Sequence, residues 1–371
     1  MKRFVSIPTL ILLITFTGNS QGKKDFKATD SVALNKFELR IEKLRKKYSI
    51  PSLSAGVATE DKLFWKKGFG YADIENKIVP DENTIYHLAS ITKTFGSIIL
   101  LQLVEQGKVR LSDPVTQYNI HLGARWNDDP RIQVQHLLTH TAQGNSLNAF
   151  KRGDSFQYNG DYYGRLGQVI VSSGKSFGQL LVENIINPLQ LKHTSPTVDD
   201  SLNFNLTGYN EDTLRKLMAK PYDYDKKSNK VIPIKYPVHF SPAAGLISSV
   251  SDLALYSYAI DEGKFLNDTT WQQVFTPYVS KRGRTLSYGQ GWFVKTYKGI
   301  KYSWHTGWWQ GVSSLIIKVP EKKLTFIILA NSQDLSRPFY AGFSIYFKRS
   351  LHKNLKASPF ARAFIESVVE Q

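Results

Sequence analysis

Between Ser31 and Tyr48 the apolar residues Leu34, Phe37, Leu39, Ile41 and Leu44 fall among charges, a spacing that predicts an amphipathic helix. Two runs, Leu53 to Val57 and Leu63 to Tyr71, flank the turn Glu60-Asp61-Lys62 and read as strands. From about residue 90 to 280 the pattern is mainly helical, with long loops rich in Asn, Asp and Tyr. Within it, Phe95 to Val104 is a long apolar helix that stops at Gly107. Strand patterns return at Gly291–Thr296, Lys301–His305, Ser313–Val319 and Leu324–Ala330, and a helix from Phe339 to Leu351 is expected to close the chain. Strands at both ends and helices between them predict an α/β (α+β) protein, with one sheet built from both termini and a helical region inserted into it.

The extreme amino terminus follows another pattern. Lys2 and Arg3 precede a mostly apolar stretch, Phe4 to Phe16, and then the small and polar Gly18, Asn19 and Ser20. This reads as a signal peptide over residues 1–20, and so as a secreted or periplasmic protein. An uncleaved membrane anchor is the alternative, although the run is short for a bilayer. No later segment is apolar enough to span a membrane, so no stable span is expected after cleavage.

Composition narrows the chemistry. With 371 residues, 42% hydrophobic and 21% charged, the chain is an ordinary globular protein. Zero cysteines exclude disulfides, thiolate zinc sites, iron–sulfur clusters, a cysteine nucleophile and a lipid-anchored cysteine. Lys+Arg 48 against Asp+Glu 31 gives a net charge of +17. The basic residues are scattered in short runs such as Arg45-Lys46-Lys47, and no nucleic-acid-binding motif is present. An exported basic protein meets anionic cell-envelope material more naturally than nucleic acid, although a solvated basic surface needs no partner at all.

Ser90-Ile91-Thr92-Lys93 places a serine and a lysine one helical turn apart, on one face. A serine hydroxyl is a weak nucleophile unless a base takes its proton, and a lysine whose pKa is lowered by burial can do so. Unpaired N–H groups at a helix start would stabilise developing negative charge. The spacing itself is common: it recurs at Ser20/Lys23, Ser172/Lys175 and Ser350/Lys353. Only Ser90 precedes a long apolar helix. The competing reading is a helix-capping serine beside a solvated lysine. Gly174-Lys175-Ser176-Phe177-Gly178 matches a nucleophile elbow in spelling, but a helically spaced segment, Tyr163 to Ser173, precedes it. Ser176 therefore reads as the N-cap of a helix from Phe177 to Ile186. A second match, Gly18 to Gly22, falls at the cleavage site. His136 and His140 share a helical face, but the glutamate of a zinc-protease motif is absent, since Leu137 stands there, so capping or packing is the plainer role. Trp304, Trp308 and Trp309 bracket His305-Thr306-Gly307 and read as a strand edge or as core.

Taken in order, these segments resemble the serine β-lactamase and penicillin-binding-protein-like family, which includes class C β-lactamases, D-alanyl-D-alanine carboxypeptidases, D-aminopeptidases and esterases. The resemblance runs from about Leu34 to Phe347. Ser90-Ile91-Thr92-Lys93 is similar to the family's nucleophile motif, and residues 103–114 continue it. His136 to Thr141 and Phe156-Gln157-Tyr158-Asn159-Gly160 follow, the latter aligned with Tyr-x-Asn. Asn187 to Leu191, Ala243 to Ser248 and Tyr288 to Trp292 come next. His305-Thr306-Gly307 stands at the Lys-Thr-Gly position.

The resemblance implies an antiparallel sheet from about 30–90 and 285–355, flanked by helices, with a helical insertion at about 91–284, all in one domain spanning 21–371. It implies acyl transfer. Ser90 attacks a carbonyl and water hydrolyses the acyl-enzyme. Lys93 and Tyr158 share the base and acid roles, and His305 tunes them. The backbone N–H groups of Ser90 and Trp308 form the oxyanion hole, and Gly160, Thr306 and Gly307 line the substrate. Neither cofactor nor metal is implied. The partners are a small-molecule or peptide substrate and cell-wall fragments, not nucleic acid.

Three departures touch the substrate-reading side. Gly160 replaces the asparagine whose amide holds a substrate amide. His305 replaces a permanent cation that pairs with a substrate carboxylate. Ala142-Gln143-Gly144 replaces the usual Ser-Gly. They leave the nucleophilic set intact and favour an ester or D-amino-acid peptide over an antibiotic. The rivals are a β-lactamase and a non-catalytic penicillin or peptide-fragment binder.

Overall fold

The computed structural model describes residues 31–59, 62–122, 131–142, 153–197, 208, 211–225, 227–236, 239–340, 343–344, 347–348 and 353–370. The signal-peptide reading, the pair Ser20/Lys23, Ser350, and the loop change at Gln143 and Gly144 lie outside them.

Helix α1 (Ser31–Lys47) leads into β1 (Ser52–Ala58) and β2 (Leu63–Gly70), close to their expected bounds. From the other end of the chain come β7 (Phe293–Tyr297), β8 (Ile300–Trp309), β9 (Val312–Val319) and β10 (Leu324–Ala330). All six form one antiparallel sheet in the order β2-β1-β10-β9-β8-β7, so the two termini meet where β1 pairs with β10, Leu53 opposite Ala330. Three two-stranded ladders complete the strands: β3 (Tyr86–His87) with β6 (Ile247–Ser248), β4 (Tyr222–Asp225) with β5 (Lys230–Pro233), and β11 (Phe343–Ser344) with β12 (Phe347–Lys348).

β10 is buried throughout because both faces of the sheet are covered. Its side chains alternate between two cores. Phe326, Ile328 and Ala330 join Phe37 and Ile41 of α1, while Ile327 and Leu329 join the core of the inserted region. That second core is centred on α2 (Thr92–Glu105), which is buried along nearly its whole length. The apolar text Phe95 to Val104 therefore marks an interior helix rather than an amphipathic one.

The insertion is built from short helices: α3 (Val134–Leu138), α4 (Gly160–Gly164), α5 (Leu166–Val171) and α6 (Phe177–Leu181). Ser176 caps α6 in a capping box with Gln179, which removes the nucleophile-elbow reading. Ser172 donates to the Val169 carbonyl while Lys175 pairs with Glu183 at 2.6 Å, so this serine–lysine pair is not joined.

The closing helix is displaced. The expected Phe339–Leu351 helix begins as a short turn at Arg337–Tyr340, but Phe343–Ser344 and Phe347–Lys348 pair as strands. Apolar residues at 339, 343, 347 and 351 repeat every four positions and imitate a helix. The chain closes instead with a helix at Pro359–Phe364, which Ser358 caps and Pro359 opens, and which packs on α1. Among the described residues no helix is long and apolar enough to cross a membrane.

Candidate active site

Ser90 lies in a single 3-10 turn, Ala89–Ile91, between β3 and α2. Neither this turn nor α2 uses a side-chain cap, so Ser90 is not a capping residue. Four contacts fix the turn. Ser314 Oγ donates to the Leu88 carbonyl (2.7 Å), the Leu88 N–H to Leu246 O (2.8 Å), Thr92 Oγ1 to Ala89 O (2.7 Å), and the Ala89 N–H to His87 Nδ1 (3.0 Å). Strand β8 closes against it. A Cβ added at Gly307 would lie 2.1 Å from Leu88 O and 2.2 Å from Ser314 Oγ, so glycine is what allows this approach. Gly307 thus spaces the strand from the nucleophile turn.

Lys93 is 1% exposed, and its Nζ lies 3.0 Å from Ser90 Oγ and 2.8 Å from the Ala243 carbonyl. Tyr163 fastens the same helical turn by donating to Lys93 O (3.0 Å). Burial pushes the Lys93 ammonium down to about 7, against the opposing charge of Asp161. The faces of Tyr158 and Tyr163, 5.1 and 5.4 Å from Nζ, still accommodate the cation when it forms. A neutral amine next to a serine hydroxyl is therefore available near pH 7.

Tyr158 belongs to the same cluster with the opposite tendency. Burial drives its phenol far above the ordinary range, and the contact with the Ser90 hydroxyl only opposes this. The nearby lysine does not turn it into a phenolate; Tyr158 keeps its proton. His140 lies over its ring, centroids 4.3 Å apart, and accepts the Asn159 N–H at Nδ1 (3.1 Å). His136 accepts the Gln133 N–H in the same way (3.0 Å). Both histidines serve backbone and packing roles, and among the described residues no group of three or more His, Asp or Glu could hold a metal.

His305 is completely buried. Its Nδ1 faces the Thr306 carbonyl at 3.0 Å, which can only accept, so Nδ1 carries the proton. In the neutral ring Nε2 then accepts from Tyr288 Oη at 3.1 Å. His305 reaches Tyr158 across 6.2 Å between ring centroids, and Tyr288 is the side chain that engages it. Thr306 is 1% exposed, and its hydroxyl meets Ser336 Oγ (2.7 Å) and the Ser314 carbonyl (3.1 Å). It points into the interior of the sheet instead of lining a substrate. Trp308 is 40% exposed at the end of β8, opposite Ser313. There β8 has run past the last pair it makes with β7, Phe293 opposite Trp304. Gly160 opens α4, with no atom within 4 Å of an added Cβ, so this departure leaves open space. Ala142 is buried.

Two groups at this centre escape residue-by-residue reading of the sequence: the Ala243 carbonyl and Tyr288. Each lies in a segment that the ordered resemblance includes, which is the only signal for either.

An SxxK serine turn and a buried lysine, held between an antiparallel sheet and an inserted helical region, define the serine β-lactamase and penicillin-binding-protein-like fold. The family model described as Beta-lactamase matches residues 37–343, and the chain belongs to that family. It is 26% identical over 330 residues to Protein flp of Staphylococcus aureus (strain MW2), covering 78% of this chain and 61% of that protein. The chain thus spans about three fifths of the length of that relative. It is 24% identical to a Beta-lactamase of Escherichia coli (strain K12), covering 78% of this chain and 86% of that one. The octameric penicillin-binding protein homologue from Pyrococcus abyssi superimposes with a TM-score of 0.69 at 25% identity, covering 81% of this chain and 74% of that one.

Proposed function

We propose that the protein is a serine hydrolase that works through an acyl-enzyme on Ser90, with an ester or a D-amino-acid peptide or amide as substrate. One observation carries this reading: a fully buried lysine, lowered to about pH 7, whose Nζ lies 3.0 Å from the serine hydroxyl. Neutral Lys93 takes the Ser90 proton as Oγ attacks the substrate carbonyl. Tyr158, held protonated by burial, hands a proton to the leaving group and recovers one from the water that attacks the acyl-enzyme, while Lys93 returns its proton to the departing Ser90 Oγ. The N–H groups of Ser90 and Trp308 are proposed to receive the oxyanion. The open space around an added Cβ at Gly160, and a histidine paired with Tyr288 where a permanent cation would otherwise stand, favour a substrate recognised without a carboxamide clamp or a permanent cation. Export by the 1–20 segment, and cell-wall fragments as the natural source of substrate, belong to the same proposal and rest on the basic–apolar pattern of that segment.

The test is a time course of intact-protein mass with a penicillin, for wild type and Ser90→Ala, followed by p-nitrophenyl esters and D-alanyl peptides. The expected result is an adduct or turnover that Ser90→Ala abolishes. A persistent adduct without turnover favours a penicillin binder, and rapid drug hydrolysis favours a β-lactamase. Hydrolysis that survives Ser90→Ala in full removes Ser90 from the mechanism.

A further inference from the structure

Ala89, immediately before Ser90, has φ +47, a left-handed backbone that an alanine adopts only at a cost. Something must hold it there, and its N–H donates a hydrogen bond to His87 Nδ1, two residues earlier, at 3.0 Å. An Asn or Asp side chain makes the same connection to the N–H two residues on in an Asx-turn. Because Nδ1 accepts, the ring proton of the neutral imidazole sits on Nε2. That nitrogen is buried and meets no acceptor among the described residues, so the Ala89 N–H alone selects the tautomer. His87 is 2% exposed, on β3, and its ring faces Tyr236 and Trp309 with centroids 6.4 and 6.2 Å away. Burial, with His239 facing it, pushes the imidazole down to about 3, which keeps the acceptor in place at neutral pH. A buried imidazole with one unmet donor is a poor choice for packing alone.

We propose that His87 is a positioning residue for the nucleophile: its Nδ1 locks Ala89 in the left-handed conformation and so aims Ser90 Oγ at Lys93. This rests on the acyl-enzyme reading of Ser90. The two side chains must then be coupled. With glycine at 89, which adopts φ > 0 freely, the lock is no longer needed.

The test is a double-mutant cycle on the full chain, His87→Phe against Ala89→Gly, read by thermal unfolding and by the rate of Ser90 labelling with a fluorophosphonate. His87→Phe is expected to slow labelling by about 10- to 100-fold, the scale of a small misplacement of a reacting group. The Ala89→Gly background is expected to remove most of that loss. His87→Asn, which keeps an acceptor two residues before the N–H, is expected to restore labelling. Additive effects of the two substitutions, or a His87→Asn variant as slow as His87→Phe, overturn the proposal. So does coupling in unfolding alone, since His87 would then hold the turn without aiming Ser90. Wild-type protein that no fluorophosphonate labels at Ser90 sinks the acyl-enzyme reading, and positioning with it. The coupling in unfolding tells that failure apart from a failure of the lock itself.

Discussion

The two sides of the Ser90 site are built differently. On the nucleophile side, Ser90, Lys93, Tyr158 and Gly307 are held by buried hydrogen bonds and by backbone approaches with no slack, such as the 2.1 Å that separates an added Gly307 Cβ from Leu88 O. On the side proposed to read the substrate, no atom lies within 4 Å of a Cβ added at Gly160, and Trp308 and Trp309 are 40% and 37% exposed. Chemistry that depends on a 3.0 Å contact tolerates little displacement, whereas a rim that only selects substrates is free to be open. Substitutions on the first side should therefore destroy rate, and substitutions on the second should redistribute it among substrates.

The largest expected effect comes from removing the base. Lys93→Met should slow acylation of Ser90 by about 10²- to 10⁴-fold, the usual share of a general base, measured as single-turnover labelling. The wild-type acylation rate should rise with pH through about 7 and then level off, because only the neutral amine accepts the proton. Stability follows the same titration with a definite sign. The folded-state pKa of Lys93 lies below its ordinary 10.5. Between about 7 and 10.5 the unfolded chain therefore binds more protons, and stability rises with pH across that window. Lys93→Met should flatten this rise, and its unfolding temperature relative to wild type should be more favourable at pH 6 than at pH 10. A slope that survives the substitution would assign the titration to another group.

Next comes Gly307→Ala. The added carbon collides with the Leu88 carbonyl as well as with Ser314 Oγ, and rotating the serine leaves the backbone clash in place, so the β8 strand or the Leu88–Ala89 turn must shift. Overpacking of this kind typically costs about 1–3 kcal/mol. Both the unfolding temperature and the acylation rate should fall. A fall in stability with an unchanged rate would show that the spacing of β8 from the turn does not set the nucleophile's geometry.

Tyr158→Phe should be smaller in stability and still large in rate. It deletes a hydroxyl that burial keeps protonated and leaves the ring against His140. The loss is expected mainly in turnover, at about 10²-fold, with little change in KM. A turnover rate in this variant equal to that of the wild type would rule out Tyr158 as the proton donor.

The same division explains what could be read in the sequence. The sheet was legible because β1, β9 and β10 are mostly apolar runs, and α2 because Phe95 to Val104 is apolar or small except for Gln102 and ends shortly before Gly107. The Ser90–Lys93 pair was legible as a spacing, yet a solvated lysine has the same spelling; only the burial of α2 decides between them. The inward turn of Thr306 and the Tyr288 partner of His305 depend on register and on contacts across some 17 to 30 residues, which no local pattern encodes. The closing helix was misplaced because four apolar residues at helical spacing outweighed Ser358-Pro359, the better start signal.

The smallest expected effect tests the open side directly. Gly160 is the first residue of α4, where Asn159 already caps the helix by accepting the Tyr162 N–H at 2.9 Å. The Cβ of Gly160→Asn would have no atom within 4 Å, so folding and Ser90 labelling by a fluorophosphonate are expected to be unchanged. What should change is choice of substrate. An amide that hydrogen-bonds a substrate amide adds discrimination only for substrates that carry one, and a shift of about 10-fold in kcat/KM toward an acylamino substrate over a plain p-nitrophenyl ester is the scale of one modest contact. Equal changes for both substrates would place the effect on the nucleophile side, and the contrast between a rigid chemical wall and a permissive reading wall would then fail at the residue where it is most exposed.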